Sequence, residues 1–154
     1  MNKNVKNRVG VTLIEIMVAL AIIAVLTAAV LVILNPIQQL AKGRNIQRKA
    51  DTNVILNAVG QNTVDNRGTF SCASGAIPTT TMKMASSSGN YNIAPCLVTT
   101  YLNSMPFDPL ASSADWKSMA DYDTGYTIMK NATTGRVTVS APAAELGETI
   151  SVTR

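Results

Sequence analysis

The sequence predicts an α+β fold: a long N-terminal α-helix, apolar in its first half and amphipathic in its second, packed on a small C-terminal antiparallel β-sheet. Three observations predict it. Residues Val11 to Leu34 are apolar except for Thr12, Glu15 and Thr27. Residues Ile37, Leu40, Ala41, Ala50, Val54, Ile55, Ala58 and Val59 then recur at helical spacing. Three runs near the C-terminus alternate apolar and polar residues, as half-buried strands do.

The first run holds 24 residues. As a helix it measures about 36 Å at roughly 1.5 Å per residue, enough to cross a hydrocarbon layer of about 30 Å. Glu15 lies inside it, where an ionised group costs on the order of 3 kcal/mol. Either the carboxylate sits near the membrane surface and snorkels, or it has a dedicated partner. Asn35-Pro36 follows, and proline removes one helical hydrogen bond while disfavouring helix at the residue before it. The continuing periodicity predicts a kink at Pro36 rather than a stop. The second half carries Gln38, Gln39, Lys42, Arg44, Gln47, Arg48 and Asn57 on its polar face and reaches about Gln61–Asn66, where Asn66-Arg67-Gly68 signals a stop. On this reading Arg44, Arg48 and Lys49 face solvent or a polar layer between subunits.

Thr69 to Asn92 is rich in Ser, Thr, Gly and Ala and predicts a loop with a short strand near Thr80–Met84. Ala94 to Leu102 predicts a short helix, with Pro95 in its first turn and Leu97, Val98, Tyr101 and Leu102 on one face. Ser104-Met105-Pro106-Phe107-Asp108-Pro109 ends it. Strands are predicted at Tyr126–Lys130, Arg136–Ala141 and Thr149–Thr153, with a turn at Asn131–Gly135. A three-stranded meander packed on the stripe around Val54–Val59 completes an α+β domain.

The chain is 47% hydrophobic and 14% charged, with a net charge of +4. Lys3, Lys6 and Arg8 all precede the apolar run. Beyond Gly10 the chain is nearly neutral, with 10 basic and 9 acidic residues. Positive charge before an apolar span holds that end in the cytoplasm, so the C-terminal part is expected outside. An ordinary secretory signal has a shorter apolar region, of about 7–15 residues, with its cleavage site after it. The near-neutral remainder makes no strong case for nucleic acid, which needs clustered Lys or Arg. Cys72 and Cys96 are the only cysteines, and in an extracytoplasmic domain they read as one disulfide.

Gly10-Val11-Thr12-Leu13-Ile14-Glu15, preceded by a basic leader and followed by the apolar run, resembles the processing and assembly motif of type IV pilins and of type II secretion pseudopilins. The resemblance implies cleavage after Gly10 by a prepilin peptidase and, commonly, methylation of the new N-terminus at Val11, where the family most often has phenylalanine. It divides the chain into a leader (1–10), a transmembrane and assembly segment (11–34), an amphipathic helical segment (35–66) and a globular pilin head (67–154). It also implies partners: further copies in a homopolymer, the peptidase, an inner-membrane assembly platform, and lipid before assembly. Localisation would be single-pass in the inner membrane, then in an extracellular filament. Val11 and Glu15 are four apart, one face of a helix. A new amine on Val11 and the carboxylate of Glu15 would pair within one subunit, or between subunits to set axial register. Pro106-Phe107-Asp108-Pro109 is similar to a segment of pseudopilins and of many pilins. An anchored binding module that never polymerises is the reading from another class, and it needs neither Gly10 nor Glu15.

No enzyme chemistry is predicted. The chain has no histidine, its cysteines lack a catalytic partner, and its glycines lack phosphate-loop spacing. No cofactor is expected. Asp108, Asp115, Asp121 and Asp123 are weak calcium candidates, since calcium takes six to eight oxygens. The favoured reading of the four is solvated turn residues before a strand.

Overall fold

Helix α1, Leu13–Leu34, begins on a reciprocal cap. The structure, a computed structural model, describes residues 10–154; the leader cations Lys3, Lys6 and Arg8 lie outside the described residues. Thr12, in extended conformation, caps the helix with its side chain, and Glu15 at the third helical position answers with its own. Thr27, the other polar side chain of the run, returns its hydroxyl proton to the carbonyl of Ile23 at 2.7 Å, which hides it on the helix surface. The stretch Leu13–Leu31 is long and apolar enough to cross a membrane by length and composition.

The helix does not bend through Pro36; it stops. Asn35 takes a left-handed conformation (φ 39°), and helix α2 starts anew at Pro36 and runs to Asp65. Proline excludes the α conformation at the residue before it, and asparagine is among the few side chains that tolerate the left-handed one. Asn35 then offers its carbonyl to the N–H groups of Gln38 and Gln39. The single kinked helix expected at Pro36 is two helices.

The molecule divides into two compact units, Met1–Gln39 and Leu40–Arg154. In the second, the buried stripe of α2 is Ala41, Asn45, Arg48, Thr52, Ile55, Leu56, Ala58, Val59 and Asn62. It keeps helical spacing, but its first half is polar. Arg48 is therefore not on the solvent side as expected; it is fully buried. The apolar residues Leu40, Ile46, Ala50 and Val54 face outward instead. The helix ends with Arg67 and Gly68 at positive φ, and Gly68 N–H bonds the carbonyl of Thr63 five residues back, a Schellman closure.

The sheet has five strands rather than three: β1 Met82–Ala85, β2 Asp115–Ser118, β3 Asp121–Lys130, β4 Val137–Ala141 and β5 Ile150–Thr153. Strand order is β1-β3-β4-β5, all antiparallel, and β2 pairs with the start of β3 on the edge that β4 takes further along. Tyr122, Thr124, Tyr126 and Ile128 alternate inward along β3. They join Ile55, Leu56, Val59, Met84, Ile93, Leu97, Val139 and Ile150 in one core. The short helix α3 spans only Ala94–Leu97; Val98 turns extended and Thr99 takes positive φ, so the expected continuation to Leu102 is absent. Gly125 has positive φ (71°), and an added Cβ would stand 3.0 Å from Cβ of Asp108. That bare position lets the 108–114 loop cross β3, where Asp108 N–H bonds the carbonyl of Thr124.

Candidate functional site

The candidate site is the stretch Gly10–Ile22, where the glycine expected to precede a cut, a carboxylate and an exposed apolar helix follow one another. Gly10 is exposed, with open space around the position of a Cβ and no positive φ. Neither backbone conformation nor packing requires glycine there. Val11 is 71% exposed and precedes the helix. Val11 and Glu15 are thus not helical neighbours in the uncleaved chain, contrary to the i, i+4 relation expected from spacing.

Glu15 instead turns to Thr12. One carboxylate oxygen, Oε2, accepts from the Thr12 backbone N–H at 2.8 Å and from the Thr12 hydroxyl at 2.9 Å. Two donors on one oxygen offset part of the cost of a carboxylate in an apolar helix. Beyond it, Ile14, Val18, Ala19 and Ile22 line a shallow groove together with Glu15. The apolar surface of α1 is exposed along its described length, as suits a helix whose neighbours are lipid or other copies.

The family of the prokaryotic N-terminal methylation motif matches residues 6–31. The chain carries the class III signal of the type IV pilin-like family. No curated protein and no solved structure matches it. The motif supports a type IV pilin-like or pseudopilin precursor. It brings a context of prepilin peptidase processing and pilus assembly, and pilin-type structural subunits are not enzymes. The apolar helix near the N-terminus fits a membrane-anchored precursor.

The C-terminal unit holds the remaining candidates. Cys72 and Cys96 are joined as a disulfide, with their Cα atoms 5.1 Å apart. Asn62 of α2 fastens the same loop: it donates to the carbonyls of Ser71 and Cys96 and accepts from Ser71 N–H.

The four calcium candidates do not converge. Asp108 is buried against Arg48, Asp123 pairs with Lys83, and Asp115 and Asp121 share Lys117. Among the described residues no three His, Cys, Asp or Glu side chains form a metal-holding group. Each candidate already has a cation of the protein as its counter-charge. For Asp108 and Asp123 the favoured reading as solvated turn residues also gives way.

What the sequence reading missed is the polar cluster behind this. Arg48 donates from Nε to Asp108 Oδ2 at 2.7 Å and from Nη2 to Asp108 Oδ1 at 3.0 Å. Its Nη1 reaches Glu145 Oε2 at 2.7 Å and Asn45 Oδ1 at 2.9 Å. Arg44 grips Glu145 from the other side through two further bonds. Burial works to raise the Asp108 carboxyl, but Arg48 and the N–H groups of Leu110 and Ala111 outweigh it and hold it below the usual range. Arg44 and Arg48 hold Glu145 down at about 2. Asp51 goes the other way, raised by burial although Tyr126 donates to it at 2.8 Å. One signal of the cluster was readable: Asn45, Arg48 and Thr52 are in phase with Ile55, Val59 and Asn62 on one helical stripe.

Proposed function

We propose that this pilin-like precursor is cleaved after Gly10 and that the product, starting at Val11, polymerises through residues 11–34 into a type IV pilus. One observation carries the reading: a carboxylate, Glu15, held by Thr12 at the head of a helix whose described apolar side chains are exposed. A plain anchor would use that carboxylate for no more than the helix cap it makes with Thr12. In a bundle of copies, the new α-ammonium of one chain would reach the Glu15 of a neighbour in a medium where each charge needs the other. Lys3, Lys6 and Arg8 would keep the leader in the cytoplasm and send the C-terminal unit outside. In the finished filament that unit faces the medium. The protein acts as a structural subunit and not as an enzyme, in adhesion, motility or DNA uptake.

The second reading is a pseudopilin of type II secretion, favoured by Pro106-Phe107-Asp108-Pro109.

Intact mass and N-terminal sequencing of protein sheared from cell surfaces tests the proposal. A chain beginning at Val11, with or without one added methyl group, and lighter by two hydrogens for Cys72–Cys96, is the expected result. A chain beginning at Met1 and confined to the membrane fraction would overturn it. Glu15→Ala should abolish surface filaments while leaving cleavage intact.

A further inference from the structure

The hairpin between β3 and β4 turns on Asn131-Ala132-Thr133-Thr134-Gly135. Gly135, at positive φ (72°), sends its N–H to the carbonyl of Asn131 at 2.9 Å, and Asn131 N–H bonds the carbonyl of Arg136 at 2.8 Å. The Asn131 side chain folds over the same turn. Its Oδ1 accepts from the N–H groups of Thr133 and Thr134, both at 2.9 Å. These bonds account for asparagine or aspartate at this place. They do not use Nδ2, which donates to nothing among the described residues. Asn45, Asn53, Asn62 and Asn66, by contrast, each donate from Nδ2 to a backbone carbonyl.

Asn131 is also the one asparagine of the chain with serine or threonine two places on. Asn-X-Ser/Thr, with X not proline, is the acceptor triplet for N-linked sugar when it stands on a surface loop. Residues 131–136 are all exposed. The Thr133 hydroxyl has no partner among the described residues, and its backbone N–H is tied to Oδ1, so the hydroxyl is held near the carboxamide. Two further features suit the chemistry. An amide nitrogen is a poor nucleophile, because its lone pair is delocalised into the carbonyl. Two N–H donors on Oδ1 favour the negative charge that builds there as Nδ2 gives up a proton. Lys130 and Arg136 bracket the turn, both exposed, and neither forms a salt bridge among the described residues. Two open cations beside the acceptor favour a donor whose leaving group is a phosphate ester.

We infer that Asn131 is an attachment site for N-linked sugar, taken from a donor activated as a glycosyl diphosphate. Nδ2 attacks the anomeric carbon of the sugar and forms the new C–N bond. The C–O bond to the diphosphate breaks, and the diphosphate leaves with the electron pair. The proton lost from Nδ2 passes to a base of the transferase that performs the step. The donor is carried either on a membrane polyprenol or on a nucleotide, and the diphosphate chemistry is the same for both. Modification needs an exposed turn and not a filament, so the site stands independently of the polymerising reading.

Peptide mapping of the full chain, purified from the cells that naturally make it, tests the site. Trypsin cuts after Lys130 and Arg136 and releases residues 131–136 as one peptide. That peptide should carry the added mass of one or more sugar residues on Asn131, and the intact chain should be heavier by the same amount. The mass should be lost in Asn131→Asp and in Thr133→Ala and kept in Thr133→Ser. Asn131→Asp keeps an oxygen for the N–H groups of Thr133 and Thr134, so its melting temperature should match the parent's, and loss of sugar there reports the acceptor rather than the turn. A bare peptide in the parent chain overturns the site. So does sugar that persists in Thr133→Ala, or that resides on Thr133 or Thr134. Sugar on chains still starting at Met1 identifies a nucleotide-linked donor in the cytoplasm, and sugar confined to chains starting at Val11 identifies a lipid-linked donor outside; both support the site. N-terminal sequencing reads cleavage after Gly10 separately, so an uncleaved chain overturns the filament reading while the peptide still decides this one.

Discussion

Arg48 and Asp108 form a two-bond ion pair from which solvent is entirely excluded, both side chains having no accessible surface. Removing one partner strands the other as a buried charge. Asp108→Ala is expected to lower stability by about 3–5 kcal/mol, whereas replacing both with apolar residues of similar volume should recover much of the loss. Denaturant titration of the chain in detergent micelles, followed through Trp116, measures both.

Acid should loosen the same region. Asp108 and Glu145 titrate below their ordinary values in the folded chain, Glu145 at about 2. A depressed carboxyl stabilises fully above its unfolded pKa, and the gain is lost as pH falls through the folded one. The melting temperature should therefore drop between about pH 4.5 and pH 2. Asp51, raised in the folded state, has the opposite sign and blunts the upper end of that window. Glu145→Gln should flatten the profile, and a Glu145→Gln chain with an unchanged acid transition would refute this assignment.

The disulfide closes a loop with a sequence separation of 24. Chain-entropy reasoning gives it about 3 kcal/mol, so replacing Cys72 and Cys96 with serine together should lower the denaturation midpoint accordingly. Asn62, which bonds both sides of the loop, should keep it placed. Proteolysis within 69–92 is the check, and it should rise only modestly.

Two glycines should respond with opposite signs. Gly125→Ala meets positive φ and the Cβ of Asp108 at 3.0 Å, and should destabilise by more than about 1 kcal/mol. Gly60→Ala meets neither and should stabilise by up to about 1 kcal/mol. Paired thermal melts decide the matter.

Much of this was legible in the sequence where a single physical rule dominates. The apolar run forms α1, and alternation in Ile128 and Val139 gives β3 and β4. The misses have physical causes. The first half of β3, Asp121 to Gly125, and all of β2 contain too few apolar residues to display a period. The cluster of Arg48, Asp108 and Glu145 joins residues 60 and 97 positions apart, and no local pattern announces such a pair. Charged side chains on a helix read as solvent-facing until their partners are known. Pro36 was read as a bend because proline alone leaves that open; the left-handed Asn35 before it makes a stop.

The long reach from Arg44 and Arg48 to Glu145 also bears on when the protein can fold. Helix α2 is made before its partners: the counter-charges that let Arg48 leave water, Asp108 and Glu145, arrive 60 and 97 positions later. A nascent chain shorter than that has a helix whose inner stripe must stay wet. Completion of the cluster thus waits for Glu145, and a chain cut short before it would be exposed to proteases rather than built into anything.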